Sequence, residues 1–362
     1  MTNDDFEQNS KLSFTVVRVN ISKEKEVHMT SLPLKNFRDL YNKHRFSDNL
    51  PNCSVLWHYT SVNGLMGIVQ NATSEHGRLH FWFTRSDCLN DTSEGTHVLD
   101  LFKRICCELL SNGQISNAFY ECLKHIEIPN SHLVSFPVPS DEKYTHMSVL
   151  DCPECDAYIC SFSLKEDSLD MWRYYSKGDG GFALKLYAFM FDEHKEYEYS
   201  DYDEKAVFSN ISSYKVIYDE ATKQNMLENV ILDTFKVYEQ LIEIEPDCEE
   251  NAMGFIKHAL KIFQFQFKHD CYASEQEYRF VFYRPCSKPE LLQNELPEVK
   301  YRSQNGVIVP YIDLTIENGA SYLSEVLISP FIKSKVVKKT TQEYLSQCGV
   351  DCEVRHSELP VR

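Results

Sequence analysis

From Cys53 onward, segments with the two-residue alternation of strands are interleaved with segments of helical spacing, and the order never becomes a strict strand-helix-strand repeat. That order argues against a parallel, doubly wound sheet and predicts an α+β fold on a mixed, mostly antiparallel sheet. SVLWHYT (54–60) reads as a strand, and the helix VNGLMGIVQ after it is capped by Thr60 or Ser61. RLHFWFT (78–84) reads as another strand. It leads into a helix on which Val98, Leu99, Phe102, Ile105, Leu109 and Leu110 recur at helical spacing. AYICSFSLKEDSLDMWRYYSKGDGGFALKL reads as strand, short helix, Gly-rich turn and strand. Two amphipathic helices follow, the second with Ala252, Phe255, Ile256, Ala259, Leu260, Phe263 and Phe267 on one face. EQEYRFVFY (275–283) alternates as a strand, and LSEVLISPF, KVVKKTTQEYLSQCG and CEVRH close the chain as strand, helix and strand. Neither a dinucleotide glycine fingerprint nor a GxxxxGK[ST] phosphate loop occurs, so a nucleotide site would be built another way.

Residues 51–362 are expected to form a single domain, with insertions at about 113–155 and 219–268. Residues 1–50 read as an extension packed on it, with FTVVRVNI (14–21) as a strand. The formal net charge of −17 argues against a broad electrostatic grip on nucleic acid, while leaving open a local basic groove, a protein target or a basic partner. Thirteen cysteines, an odd number scattered through helix-like and strand-like segments, point to reduced thiols. No run of about 18 apolar residues occurs, and MTNDDFEQNS lacks a basic start or apolar stretch, so a cytoplasmic chain without a membrane partner is expected. Cys152-Pro153-Glu154-Cys155 has the spacing of half a zinc site, but no second Cys/His pair follows and no metal is expected.

Alternation puts Tyr278, Phe280 and Phe282 on one face of the 275–283 strand and Glu275, Glu277, Arg279 and Val281 on the other. The charged face is either a solvated surface with a glutamate-arginine pair or a carboxylate pair on a rigid strand, held by Arg279 and facing a cleft. Tyr158, Ser161, Ser163, Trp172, Tyr174 and Tyr175 crowd aromatics and hydroxyls into one segment. Core packing accounts for some of them, but the set as a whole suits a flat ring with an amide. In Asn90-Asp91-Thr92-Ser93-Glu94, the Asp91/Glu94 spacing is that of a helix-capping box, and Asn90 or Asp91 is also placed to face a site. His58, beside Leu56 and Thr60 on one strand face, taken alone is a hydrogen-bonded core histidine.

Together, LWHYTS, LND..E, SFS....L.MWRYY...GG.AL, E.EYR and SEVLISP resemble a widespread bacterial family known only as a domain of unknown function, over about Cys53 to Arg362. More distantly they resemble the ADP-ribosyltransferase superfamily of His-Tyr-Glu type, which includes toxins and poly(ADP-ribose) polymerases. His58 with Thr60 is similar to that pattern's early-strand histidine. YICSFS with MWRYY is similar to its central strand and aromatic helix, and Glu277, within Glu275-Gln276-Glu277, to its late-strand glutamate.

The resemblance implies an ADP-ribosyltransferase-like split sheet with flanking helices and a helical insertion, with NAD as substrate. It implies that Glu277 binds the nicotinamide-side ribose and stabilises the oxocarbenium character of the transition state. His58 would hold the adenosine-side ribose, with Tyr59, Thr60 and Asn90 also at the cofactor. One or more of Tyr158, Trp172, Tyr174 and Tyr175 would stack on nicotinamide, whose amide would meet Ser161 or Ser163. Glu275 would activate the acceptor, and Arg279 would orient Glu277 or meet a phosphate. His58 would thus form one wall of a cleft and the Glu277 strand the other. The implied activity is transfer of ADP-ribose to a macromolecule, protein or nucleic acid, by a toxin or phage-defence effector with an inhibitor or antitoxin as a further partner. The alternatives are an NAD glycohydrolase and an inactive nucleotide- or protein-binding module.

Overall fold

In the computed structural model, which describes residues 35–44, 54–69, 77–89, 96–128, 155–175, 180–191, 196–199, 206–209, 211–286, 296–304 and 306–361, the alternating segments become strands of one large sheet. Met1–Leu34, with the FTVVRVNI segment, Asn90-Asp91, Glu94 and Cys152 all lie outside the described residues. Lys35–Arg362 form one compact unit.

The strands are β1 (Val55–Thr60), β2 (Leu79–Arg85), β3 (Cys155–Ser163), β4 (Phe182–Tyr187), β5 (Glu196–Tyr199), β6 (Ala206–Ser209), β7 (Ile211–Lys215) and β8 (Glu277–Pro285). They continue with β9 (Val299–Gln304), β10 (Val307–Ile316), β11 (Leu323–Ile328) and β12 (Glu353–His356). Among the described residues the main sheet runs β12-β11-β4-β1-β3-β2-β10-β9, with β8 and then β7 branching from β3, while β5 and β6 pair separately. Every pairing is antiparallel except β11 with β12. The fold is therefore α+β on a mostly antiparallel open sheet, as the interleaved periodicities predict.

Strand β3 is where the sheet divides. One edge is taken along its whole length by β8, from Cys155↔Pro285 to Ser163↔Glu277. The other edge is shared, because β2 pairs at Tyr158 and Ile159 and β1 pairs only at Ser163. Between those contacts β1 and β2 diverge, and among the described residues no strand pairs with the β3 backbone around Ser161 on that side.

The helices are α1 (Phe37–Lys43), α2 (Val62–Ile68), α3 (Thr96–Ser111), α4 (Asn117–Leu123), α5 (Leu169–Tyr175), α6 (Glu220–Leu241), α7 (Cys248–Gln266) and α8 (Val337–Gln347). Helices α2 and α8 cover one sheet face, placing Leu65, Ile68 and Leu345 against Leu56, Phe81, Phe162, Tyr278, Phe280 and Phe282. On the other face α5 brings Met171 and Trp172 to Trp57 and Tyr59, while α7 brings Ile262 and Phe265 to Ile159, Val281 and Tyr283. The α7 stripe read from the sequence is buried throughout, and each large side chain in it contributes about 1.5–3 kcal/mol by burial. Ser61 is the residue that caps α2, accepting the Gly64 amide at 3.1 Å. Gly64 has little choice of side chain, since a Cβ there would lie 1.8 Å from Thr60 Oγ1.

Three elements depart from the sequence reading. Helix α4 lies inside the 113–155 insertion, with Phe119 and Leu123 buried at helical spacing. Strand β7 went unrecognised between the 206–209 segment and α6. The β9-β10 pairing is likewise an addition, although the sequence carries Asn-Gly just before β10, a strong hairpin signal.

Candidate functional site

Strand β8 begins with a buried charge cluster. Lys268, two residues beyond α7, sends its ammonium 2.8 Å from Glu275 Oε2 and 2.9 Å from Glu277 Oε2. Arg279 closes a fork on Glu277, with Nε 2.7 Å from Oε1 and Nη2 2.9 Å from Oε2, while Nη1 donates to the Phe265 carbonyl at 3.2 Å. The face carrying Glu277 and Arg279 is thus not a solvated surface: the two residues are 5% and 1% exposed. Glu275 reaches the cluster differently from the strand expectation. It ends a 3-10 turn (Asp270–Glu275), and Gln276, at φ 42° in the left-handed region, then turns the chain into β8. The strand start is held by the Glu277 amide donating to the Tyr218 hydroxyl at 2.9 Å.

The two carboxylates titrate in opposite directions. Burial raises the Glu277 carboxyl, but Arg279, Lys268 and the Ser161 hydroxyl outweigh it and lower the group to about 2. Burial dominates at Glu275 and raises it above the ordinary value despite Lys268. Environments that separate two neighbouring carboxyls in this way assign one as a permanent anion and the other as the group closer to proton exchange.

Ser161 and Ser163 both serve this end of β8. The Ser163 hydroxyl donates to the Glu275 carbonyl at 2.7 Å and accepts the Lys165 amide at 3.0 Å. Of the four candidate aromatics, Tyr175 is the one whose hydroxyl feels Glu275 and Glu277, with burial and then the two acids raising it. Tyr158 is packed in the core on the α2/α8 face and Tyr174 is 64% exposed. Trp172 is buried against Tyr59, with ring centroids 4.9 Å apart, and its Nε1 donates to Asp167.

Tyr59 is a structural tie. Its hydroxyl accepts the Ser168 amide at 3.0 Å and lies against the backbone carbonyls of Lys165 and Glu166. Tyr59→Phe is expected to lower unfolding stability by about 1–3 kcal/mol through these unpaired groups, measured by urea denaturation. A variant of unchanged stability would remove that role.

His58 does not face Glu277. Trp57, Ser163 and Glu277 are register partners across β1, β3 and β8 and share one face. His58, one residue on, turns to the other, with Phe162 and Phe81 rings at 5.1 and 5.6 Å. Its Nδ1 donates at 3.1 Å to the Ser161 carbonyl, supplying a partner where the divided sheet offers no strand. That bond fixes the neutral tautomer and leaves Nε2 as the acceptor. Ser161 therefore lies between the two: its carbonyl accepts from His58, and its hydroxyl is among the groups that lower the Glu277 carboxyl. The structure gathers Ser161, Ser163, Tyr175, Glu275, Glu277 and Arg279, touches His58 through Ser161, and keeps Tyr59, Tyr158, Trp172 and Tyr174 in other roles. Thr60 is half-buried at the start of α2, and Asn90 lies outside the described residues. Lys268 and Tyr218 went unread in the sequence, though Lys268 follows directly on the α7 stripe.

Burial lowers His58 to about 4 against the opposing Ser161 bond, and burial also lowers His258 to about 4. Between the ordinary histidine value near 6.5 and about 4 the unfolded chain binds protons that the folded chain refuses. Stability is therefore fully present above about 6.5 and falls as pH drops toward 4. The urea midpoint is expected to decline across this window, and His58→Gln to decline less; equal slopes would refute it.

Among the described residues no group of three or more His, Cys, Asp or Glu side chains is placed to hold a metal ion, and no helix is long and apolar enough to cross a membrane. Cys155 is buried in β3, and the cysteines among the described residues are free thiols. No curated protein and no solved structure matches the chain. A family model described as a protein of unknown function (DUF2971) matches residues 171–280, a segment that starts on α5, which carries Tyr175, and ends on β8, which carries Glu277, with the turn that ends in Glu275 between them.

Proposed function

We propose that the chain is an NAD-dependent ADP-ribosyltransferase whose site lies where β1, β3 and β8 adjoin. The observation that carries this reading is the pair of buried carboxylates on one ammonium, Glu277 held as an anion and Glu275 raised. Cleavage of the nicotinamide-ribose bond builds positive charge on the ribose, and a fixed anion in a desolvated setting opposes that cost. Glu277 supplies the anion, with Arg279 and Ser161 holding its orientation. Glu275, nearer to proton exchange, accepts the proton of the incoming nucleophile. Tyr175 supplies the ring beside nicotinamide. His58 acts at one remove, fixing the Ser161 backbone.

The test is incubation of the purified chain with NAD while free nicotinamide is followed, with mass spectrometry of added protein and nucleic acid. Release with an adduct supports transfer to a macromolecule; release without one supports a glycohydrolase using water. A second reading rests on a specific observation: Glu277 already receives Arg279 twice and Lys268 once, and is 5% exposed. Such saturation suits an inherited, inactive cleft that binds a nucleotide or protein. Thermal stabilisation by NAD or ADP-ribose with no nicotinamide release would select it.

A further inference from the structure

The far end of the same two strands holds a cavity of about 470 Å³, lined by Arg85, Asp87, Asp156, Lys261, Gln264 and Phe265 among others. It lies near Cys155, at the opposite end of nine-residue β3 from Ser163 and Glu277, and Phe265 borders both, lining the cavity and accepting from Arg279 through its carbonyl. The volume falls within the ordinary range of small-ligand pockets.

The charges in its wall are not all spoken for. Arg85 is held twice by Asp87, Nε to Oδ1 at 2.7 Å and Nη2 to Oδ2 at 3.0 Å. Lys261 is different. It projects from α7 with 6% of its surface exposed, and its ammonium sits 5.6 Å from the Phe265 ring centroid. Among the described residues no hydrogen bond or ion pair reaches that amine, and Cys155 and then Asp156 act on it at longer range. The enclosing wall partly desolvates that ammonium at some cost and lowers its affinity for the proton. An oxyanion entering the cavity would relieve that cost. The side chain's aliphatic stem and the Phe265 ring offer an apolar wall beside the charge, and the Gln264 amide lies in the same lining.

We propose that this cavity is a second binding site, for a small organic oxyanion, carboxylate or phosphate, whose charged group pairs with Lys261. The ligand's remaining polar groups face Asp156 and Gln264.

The test is chemical footprinting of the full chain by reductive methylation and peptide mass spectrometry. It is run in chloride, inorganic phosphate or acetate at equal ionic strength. Methylation of Lys261 is expected to proceed in chloride and to fall about tenfold in phosphate, acetate or both, while exposed lysines such as Lys339 react equally in all three. Protection by phosphate alone assigns phosphate ligands, and protection by acetate alone assigns carboxylates. Equal labelling of Lys261 in every salt overturns the proposal, and so does a Lys261 that stays unlabelled in chloride. Lys261→Met keeps the stem and removes the charge, so the protecting anion should no longer raise its melting temperature. If that variant fails to fold, the footprint on the native chain still decides. Because Lys261 carries none of the groups proposed for the Glu277 site, nicotinamide release should be the same in Lys261→Met as in the native chain.

Discussion

Glu277→Gln is expected to lower nicotinamide release from NAD by at least about a hundred-fold, the usual scale for removing one preorganised electrostatic contact at a developing charge. The substitution keeps the side-chain shape and removes its charge, so the loss reads the anion itself. It also leaves Lys268 and Arg279 with Glu275 as the remaining acid of the cluster, which weakens the fold. The two effects separate if turnover is measured well below the unfolding transition of the variant, with far-ultraviolet circular dichroism reporting the native signal. Turnover within about threefold of the native chain under those conditions would sink the proposed mechanism. A native chain that releases no nicotinamide at all would leave the cluster as a structural anchor.

Arg279→Met should have the largest effect on stability. The guanidinium is 1% exposed, and its hydrogen bonds include two to Glu277 and one to the Phe265 carbonyl. Methionine fills part of the volume but leaves a buried carboxylate with Lys268 as its one remaining cation and a carbonyl without its donor. Breaking a buried pair from one side costs about 3–5 kcal/mol, and the urea midpoint should fall accordingly. Arg279→Lys should recover only part of that loss, because an ammonium cannot reproduce the two-pronged contact. A change below about 1 kcal/mol for the methionine variant would show that the fork contributes little to folding.

Much of this architecture could be read from periodicity. The 275–283 alternation gives the apolar face of β8 correctly, because Tyr278, Phe280 and Phe282 all enter one core. The α7 stripe is equally legible, since 3.6-residue spacing is set by the helix itself. Faces across the sheet were harder. That His58 and Glu277 point to opposite sides follows from the register Trp57↔Ser163↔Glu277, a long-range pairing that no local pattern encodes. Lys268 was hidden for a related reason: its role depends on where α7 ends relative to β8. Glu275 shows a third limit, because a left-handed residue at Gln276 breaks the alternation that assigned it to the strand.

Because, among the described strands, β3 alone connects the β1 side of the sheet to the β2 side, it works as the spine of two wings. Any relative rotation of those wings must be absorbed within the few residues between Ile159 and Ser163, where no ladder braces the exposed edge. The imidazole at position 58 is then a latch across that seam. Changing it should loosen the seam first, which would show as faster amide exchange along that stretch before either wing unravels.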